Sequence, residues 1–268
     1  MWCAGRPRAA TLSGMDFLAE GSRTGPAEYG ERIGGRYDEW YGSRDDPAPI
    51  ADFLAARAGG GPALELGIGT GRIALPLTER GVPVDGIDAS PRMVGQLRGK
   101  PGGGDIAVSV GDFADVSAPG GPYSLIYVVF NTFLMLLTQE DQVRCFANVA
   151  AHLVPRGAFV MEAFVPNLAG FDENQRVRAD QFDQASTRFT ASLLDRAAQR
   201  ISARHLVVGA ADIETYPIEL RYAWPSELDL MARLAGLSLT ARWGGWQGQP
   251  FTSASDSHVS VWQTPDPA

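Results

Sequence analysis

The chain has 268 residues, of which 45% are hydrophobic and 20% are charged, and its formal net charge is -8. This acidic balance argues against a nucleic-acid partner, because proteins that bind phosphate backbones normally carry a basic patch. No apolar run reaches the roughly 20 residues that span a bilayer, and the N-terminus lacks the order of a secretory signal, so we expect a cytoplasmic protein without a membrane partner.

The first segments predict a tail followed by helices. Residues 1–14 are rich in Gly, Ala and Arg without periodicity, and we expect a disordered tail that carries no function. Aromatic residues cluster between positions 27 and 41 on an apparent helix that breaks near Gly34-Gly35. A second helix is predicted over 49–57. We expect residues 15–60 to form a helical cover over a ligand site.

A glycine-rich turn follows a short apolar run. Leu64-Glu65-Leu66 precedes Gly67-Ile68-Gly69-Thr70-Gly71, and a helical pattern begins after Arg72. Alternating glycines let the backbone turn sharply after a strand and approach a ligand closely, although a purely structural turn is the alternative. A dinucleotide fingerprint would need glycine in place of Arg72. Glu65 would repel a pyrophosphate and attract a cationic ligand, such as the sulfonium of S-adenosylmethionine.

The pattern E-x-G-x-G-T-G resembles the first motif of class I S-adenosylmethionine-dependent methyltransferases, of the bacterial small-molecule type. The resemblance covers roughly residues 50–165. It implies S-adenosylmethionine as the cofactor and S-adenosylhomocysteine as the product. In such enzymes an N-terminal helix often covers the methionine end of the cofactor, and Tyr37 stands at that place here. The motif residues assigned to the cofactor site are Glu65, Gly67, Gly69 and Gly71.

After the turn, short β-branched or aromatic runs alternate with helical patterns, as parallel strands with crossover helices do. The clearest helix begins at Thr138, where the sequence resembles a capping box. The predicted strands are 63–66, 82–87, 106–110, 124–130 and 158–164.

The rhythm of the sequence changes after Phe164. Alternating segments predict a small antiparallel sheet, which we interpret as a lid. A helix capped by Ser226 should follow, and the last two strands, 238–243 and 258–263, should complete the main sheet as an antiparallel pair. The alternating segments are 188–194, 200–208 and 214–222.

The second predicted strand ends at Asp88, about 20 residues after the first turn glycine, where an acidic residue can accept both ribose hydroxyl protons. A helix cap is the alternative role, but Ser90 already supplies a cap before Pro91, which leaves Asp88 available. The resemblance implies that Ala89 belongs to the same corner of the site and that Met93 packs on the adenine.

Two further strand ends carry candidate site residues. Asp112 and Phe113 resemble the adenine-binding corner of the family, where a carboxylate accepts from the exocyclic amine, although Gly-Asp alone is an ordinary turn. Asn131, after the fourth strand, occupies the family's substrate-facing position beside the transferred methyl, and we include it in the cofactor site. Thr132 and Phe133 stand where enzymes that methylate amino groups of DNA or protein glutamine have prolines, so those substrates are disfavoured.

An acceptor that must lose a proton needs a base. Glu162, near the cofactor end of the fifth strand, is the catalytic candidate; the alternative is an edge residue that faces solvent or pairs with an arginine. His205 and Tyr222 on the predicted lid are weaker candidates for substrate contact, and His152 and His258 are expected to be structural. No two histidines fall at metal spacing with a carboxylate, so no metal is predicted.

We therefore predict an α/β protein with a Rossmann-like, seven-stranded, mostly parallel sheet, an N-terminal helical cover and an inserted antiparallel β lid. Residues 61–165 and 224–264 should form the S-adenosylmethionine-binding methyltransferase domain, and 166–223 a β lid or substrate subdomain. The resemblance implies methyl transfer to an N, O or C atom of a small molecule or modified peptide, by a monomer or homodimer. The alternatives are a non-methyl reaction such as a cyclisation, or a non-catalytic binding module.

Overall fold

The computed structural model describes residues 25–42, 46–115, 118–182, 186–209 and 212–266. The predicted tail, residues 1–14, lies outside the described residues. Within them the chain forms a seven-stranded sheet, covered by helices, and a separate four-stranded sheet. Among the helices of these segments, none is long and apolar enough to cross a membrane.

The elements are numbered along the chain. The helices are α1 (Pro26–Ile33), α2 (Tyr37–Tyr41), α3 (Ala48–Ala58), α4 (Ala74–Thr78), α5 (Pro91–Arg98), α6 (Gln139–His152) and α7 (Pro225–Leu234). The strands are β1 (Ala63–Leu66), β2 (Val84–Asp88), β3 (Val108–Val110), β4 (Tyr123–Val128), β5 (Leu153–Phe164), β6 (Gln175–Phe182), β7 (Ser186–Asp195), β8 (Arg200–Gly209), β9 (Ile213–Arg221), β10 (Ser238–Trp243) and β11 (Ser257–Gln263).

The large sheet has the strand order β10-β11-β5-β4-β1-β2-β3. Strands β1 to β5 pair in parallel, whereas β11 runs antiparallel to both β5 and β10. This confirms the predicted seven-stranded, mostly parallel sheet. The order reverses between β1 and β4, and in open α/β sheets ligands bind in the crevice outside the carboxyl ends of the strands at such a point.

The core has two layers, one on each face of this sheet. One layer contains buried residues of α3 and α4, such as Leu54 and Leu77. The other contains residues of α6 and α7, with Phe146 packed edge-on against Phe159 and Trp262 at centroid distances of 5.3 and 5.5 Å. Near-continuous apolar runs in β1 and β4 follow from this, because both faces are covered.

The predicted helix starts agree with the structure in one case and differ in another. Thr138 caps α6, and its hydroxyl accepts from the Asp141 amide at 3.1 Å, as expected. The prediction that Ser226 caps α7 is wrong, because Trp224 occupies the cap position and Pro225 begins the helix. Proline is favoured there, since its missing N–H would have no partner in the first turn.

The four-stranded sheet runs antiparallel in the order β6-β7-β8-β9. Three of its strands match the predicted alternating segments, but β6 was not predicted. Its sequence, QRVRADQF, is mostly polar and charged, so it carries no apolar alternation. It is an edge strand, and an edge strand does not need two apolar faces.

A buried polar network fastens the end of β9 to α6 and α7. The Arg221 guanidinium donates to Gln142 Oε1 at 2.6 Å, to Gln199 Oε1 at 2.8 Å and to Glu227 Oε1 at 2.8 Å. Burial raises the pKa of the Glu227 carboxyl, but the hydrogen bonds from Arg221 and its neighbours outweigh burial and lower the pKa overall. The four-stranded sheet is therefore anchored by charge-assisted hydrogen bonds rather than by apolar contact alone.

The N-terminal helices, α1 and α2, bridge the two sheets. In α2, Asp38 accepts from the Thr70 hydroxyl at 2.6 Å and pairs with Lys100 at 2.7 Å, close to the glycine turn. Arg36, just before α2, pairs with Glu214 of β9 at 2.5 Å. As predicted, the helical region breaks at Gly34-Gly35, between α1 and α2.

Candidate active site

A cavity of about 1020 Å³ opens at the carboxyl ends of the parallel strands. Its walls come from the N-terminal helices, the glycine turn, the ends of β2, β4 and β5, and one face of the four-stranded sheet. Glu65 and Gly71 are absent from its lining. The predicted site residues that line it are Tyr37, Gly67, Gly69, Asp88, Ala89, Met93, Asp112, Phe113, Asn131 and Glu162.

The glycine turn has left-handed backbone at all three glycines, with φ of 74° at Gly67, 55° at Gly69 and 77° at Gly71. A Cβ at Gly67 would collide with the methyl group of Thr132, and a Cβ at Gly71 would collide with Leu97. Glycine is therefore required both for the turn and for close packing. Gly71 serves the packing of α5 behind the turn, not the cavity wall.

Glu65 lies beneath the turn and is 2% exposed. Its Oε2 accepts from the Tyr127 hydroxyl at 2.9 Å. Burial raises the pKa of the Glu65 carboxyl to about 8, with a further contribution from the nearby Asp88 charge and opposition from the Tyr127 hydrogen bond. Glu65 thus supports the turn from the protein interior and is not part of the cavity surface.

Asp88 ends β2 and holds the turn and the start of α5 together. Its Oδ2 accepts from the Gly69 amide at 2.7 Å, and its Oδ1 accepts from the Ser90 amide at 2.8 Å. The expectation that Asp88 has no local task is therefore wrong, although each oxygen keeps a second lone pair. Ser90 caps α5 as predicted, since its hydroxyl accepts from the Met93 amide at 3.2 Å. Burial raises the pKa of Asp88 despite these amides.

The corner after β3 presents one exposed carboxylate and one buried ring. Asp112 Oδ1 accepts from the Ala114 amide at 2.8 Å, which fixes the carboxylate at the cavity wall. Phe113 is buried, and its carbonyl accepts from the Asn148 side chain at 3.0 Å. The same corner therefore offers a rigid acceptor group and an apolar surface to a ligand.

The residues after β4 have unusual backbone geometry. Phe130 and Asn131 have φ of 55° and 64°, a conformation that side chains with a Cβ adopt rarely. Two hydrogen bonds to β5 hold them there: Phe130 N donates to Glu162 Oε2 at 2.9 Å, and Phe164 N donates to Asn131 Oδ1 at 2.7 Å. Such strain persists where surrounding structure over-determines it, most often at functional sites. Glu162 lies on an inner strand, so the edge-residue alternative is wrong.

Arg72 belongs to the cavity wall, although its position in the sequence indicated only that a third glycine is missing. Its guanidinium stacks on the Phe130 ring at 3.6 Å from the centroid and donates to the Tyr41 carbonyl. Tyr41 packs on Tyr37 with centroids 5.0 Å apart. Burial raises the pKa of Tyr37, so its phenol stays protonated at neutral pH. The sequence feature that could have indicated this role is the position of the arginine directly after the glycine turn.

The histidines fall in different environments. His205 lines the cavity. His152 contacts the Asn148 carbonyl at 2.8 Å at the end of α6, and His258 is buried with its pKa lowered to about 4 by burial and by Arg242. Tyr222 packs in an apolar cluster and does not itself line the cavity. Within the described segments, no group of three metal-ligating side chains lies together.

Comparisons with known proteins agree with this geometry. Residues 63–157 match the family model of a methyltransferase domain. Over 205 residues the chain is 31% identical to the cypemycin N-terminal methyltransferase of a Streptomyces species. The aligned region covers 75% of this chain and 82% of that protein.

Solved structures show the same architecture. The CcbJ methyltransferase from Streptomyces caelestis is 36% identical, with a TM-score of 0.83 over 88% of this chain and 98% of that one. CalS10, an amino pentose methyltransferase from Micromonospora echinaspora solved with S-adenosylmethionine bound, has a TM-score of 0.64 at 24% identity, over 85% of this chain and 95% of that one.

The fold and the site define a class I methyltransferase. The chain belongs to the S-adenosylmethionine-dependent methyltransferases. It is an enzyme that transfers a methyl group from S-adenosylmethionine. The alternatives of a cyclising enzyme and a non-catalytic binding module are therefore set aside.

Proposed function

We propose that the cofactor occupies the half of the cavity formed by the glycine turn and the ends of β2 and β3. The glycine turn supports this, because Gly67 and Gly69 line the cavity in left-handed backbone that strains any residue with a Cβ, and a Cβ at Gly67 would also collide with Thr132. In this proposal Asp88 accepts from the ribose hydroxyls, Asp112 and Phe113 hold the adenine together with Ala89 and Met93, and Asn131 and Tyr37 enclose the methionine end. The bound cofactor supplies an electrophilic methyl group on a sulfonium.

The division of the chain follows from this placement. We propose that residues 61–165 and 224–264 form the cofactor-binding domain, that 15–60 cover it, and that 166–223 close the acceptor side as a lid. Support comes from the cavity lining, to which α1, α2 and the four-stranded sheet all contribute. Because one chain completes the cavity, we propose a monomer, or a homodimer in which each copy holds a whole site.

We propose an amine of a small molecule or short peptide as the methyl acceptor. Two relatives carry names that point to amines, the cypemycin N-terminal methyltransferase and the amino pentose methyltransferase CalS10. The observation that carries a small-molecule acceptor is the cavity of about 1020 Å³, just above the roughly 300 to 1,000 Å³ of small-molecule sites, which leaves room for an acceptor beside the cofactor. Glu162 would stabilise the positive charge that the amine gains.

Cofactor binding is tested by thermal unfolding with S-adenosylmethionine and S-adenosylhomocysteine. At a hundredfold excess over Kd each should stabilise the protein by about 2.7 kcal/mol. Asp88→Ala should abolish the shift, and Asp88→Asn, which keeps one acceptor oxygen, should reduce it. Asp85→Ala, on the same strand but outside the cavity lining, is the matched control and should keep the shift. Stabilisation by neither ligand would contradict the proposal.

Acceptor chemistry is tested with matched pairs of compounds. The enzyme is incubated with S-adenosylmethionine and a dipeptide with a free N-terminus, its N-acetylated form, glucosamine or glucose. Mass spectrometry should find a product about 14 Da heavier from the free amines and none from their blocked or hydroxyl-only partners. Methylation of the blocked compounds at the same rate would exclude the amine as the acceptor.

A further inference from the structure

The wall of the cavity opposite the glycine turn carries a polar row on one face of the four-stranded sheet. Arg178, Thr190 and His205 are direct cross-strand neighbours in β6, β7 and β8. All three line the cavity. Because neighbours that pair directly across strands present their side chains on the same face, the row is a continuous part of the cavity surface.

Asp180 joins this row at an irregularity in β6. The pairing with β7 shifts between Ala179 and Gln181, which leaves Asp180 as the extra residue of a bulge. Bulges redirect side chains and recur beside functional sites. The Asp180 side chain is 12% exposed, and its two oxygens are bound by different partners: Oδ1 by the Arg178 guanidinium at 3.0 Å, and Oδ2 by the Thr190 hydroxyl.

A chain of hydrogen bonds then runs from Asp180 through Thr190 to His205. His205 Nδ1 lies 2.8 Å from Thr190 Oγ1. The Asp180 carboxylate, paired with Arg178, can only accept, so the Thr190 hydroxyl donates its proton to Asp180. Its oxygen must then accept from His205, which places the imidazole proton on Nδ1 and the lone pair on Nε2. A carboxylate that orients a histidine through an intervening group is the arrangement of a general base.

Aromatic rings connect His205 to the cofactor half of the cavity. Trp40 packs against His205 with centroids 6.3 Å apart and against Tyr41 at 6.4 Å, and Tyr41 packs on Tyr37 at 5.0 Å. Tyr37 and His205 line the same cavity. His205 and the glycine turn therefore face one cavity, and we place the acceptor between them.

We propose that His205 is the general base of methyl transfer, and that Thr190 and Asp180 are positioning residues that fix its proton on Nδ1. The inference rests on the proposed function, because an amine acceptor arrives as an ammonium. One N–H bond of the ammonium breaks and its proton passes to Nε2, directly or through one water, which leaves the electron pair on the amine nitrogen. That pair forms the new N–C bond as the C–S bond breaks toward sulfur.

Charged and titratable groups lie on the strands and the helix packed around His205. They include Arg178 and Asp180 of β6, Arg188 of β7, Glu214 and Tyr216 of β9, and Arg36 beside α2.

The proton position can be tested without any acceptor, because the chain has three histidines. In ¹⁵N-labelled protein above pH 8, long-range proton–nitrogen correlation spectra should show His205 protonated at Nδ1, with an unprotonated Nε2. Thr190→Val should shift His205 toward the Nε2-protonated form and leave His152, which contacts a backbone carbonyl, unchanged. An Nε2-protonated His205 in the unmodified enzyme would overturn the inference, and would leave the proposed function intact.

The catalytic role is tested with His205→Asn, whose amide keeps a donor near the position of Nδ1 but has no base. With the free dipeptide or glucosamine, kcat at pH 7 should fall about 100-fold or more, and it should recover as pH rises and the amine loses its own proton. The thermal shift with S-adenosylhomocysteine should be unchanged, which shows that the fold is intact. His152→Asn is the matched control and should turn over normally.

Turnover of His205→Asn at the unmodified rate would overturn the inference. Thr190→Val should lower kcat less than His205→Asn does and should change KM little. Thr190→Ser, which keeps the hydroxyl, should have a kcat close to that of the unmodified enzyme, as expected for a positioning residue. If the unmodified enzyme methylates none of the amines, the result contradicts the proposed acceptor class. It then also contradicts the role of His205 as a base, because that role depends on an amine acceptor.

Discussion

The strained pair Phe130-Asn131 shows how single residues fix the cavity wall. Both residues have left-handed backbone, and both are tied to β5, through Glu162 and through the Phe164 amide. Asparagine tolerates this conformation better than other residues with a Cβ. The hydrogen bonds thus hold β4 and β5 at a set distance at the point where the two halves of the cavity meet.

Substitution of Asn131 should separate backbone strain from the lost hydrogen bond. Asn131→Gly removes the bond to the Phe164 amide and should cost about 1 to 2 kcal/mol of unfolding free energy. Asn131→Ala loses the same bond but, unlike the glycine variant, keeps a Cβ in left-handed backbone, so it should cost about 1 kcal/mol more than Asn131→Gly. Urea unfolding of both variants measures the difference, and equal values would show that the backbone is unstrained.

Glu65 should make stability depend on pH. Its pKa is raised to about 8 by burial, so between about pH 5 and 8 the folded protein holds a proton that the unfolded chain has lost. Stability should therefore fall as pH rises through this window, by up to about 1.4 kcal/mol per pH unit. Glu65→Gln removes this pH dependence, so the stability of the variant relative to the unmodified protein should increase as pH rises.

The measurement is urea unfolding of both proteins at pH 5.5 and pH 8.5, without cofactor. Asp85→Asn is the matched control, because Asp85 also accepts from a tyrosine hydroxyl, that of Tyr123 at 2.8 Å, but is half-buried. A stability difference between Glu65→Gln and the unmodified protein that stays constant with pH would show that Glu65 is ionised in the fold.

Most individual site residues could be predicted from the sequence, but whether each one lines the cavity or lies behind its wall could not. Asp88 and Asp112 were placed at strand ends by their spacing, and both line the cavity. Glu65 and Gly71 belong to the same motif but do not line the cavity: Glu65 is buried in β1, and Gly71 packs against Leu97 of α5. Periodicity cannot predict which residues of the turn face a ligand, since the turn has no regular repeat.

At the level of elements, the parallel strands were predictable and the polar edge strand was not. Strands that are buried on both faces have nearly continuous apolar sequences, as β1 and β4 do. Strand β6 draws its stability from pairing with β7 and leaves no such pattern. The row that contains Asp180, Thr190 and His205 could not be predicted either, because it depends on cross-strand register and on a bulge.

The anchor of the four-stranded sheet should depend on the fork of Arg221. Its side chain is 6% exposed and donates to three separate oxygens, which a lysine ammonium cannot reach in the same geometry. Arg221→Lys should destabilise the protein by about 2 to 4 kcal/mol in urea unfolding, because buried acceptors lose their donor.

Arg144→Lys is the matched control for this variant. Arg144 also bridges two carboxylates, Asp115 and Asp141, but its side chain is 44% exposed. Exposed ion pairs contribute little to stability because solvent screens them, so this change should cost far less than Arg221→Lys. Equal costs for the two variants would show that burial of the Arg221 network is unimportant for stability.

For the whole molecule, the cavity is shared by segments far apart in the sequence. We expect S-adenosylhomocysteine to slow hydrogen exchange of amides in the glycine turn and the N-terminal helices, by up to about 100-fold at a hundredfold excess over Kd. Amides that exchange by fraying at the end of α6 should be unaffected. Hydrogen exchange read by mass spectrometry separates these regions, and uniform slowing throughout the chain would contradict a local closure.

The attachment of the N-terminal helices has a kinetic consequence. They are fixed beside the glycine turn by Asp38 and at β9 by the pair between Arg36 and Glu214. In the proposed placement these helices cover the methionine end of the cofactor, so the release of spent cofactor requires at least one attachment to break, whereas methyl transfer requires neither to break. We therefore expect the departure of S-adenosylhomocysteine, rather than the chemical step, to limit steady-state turnover.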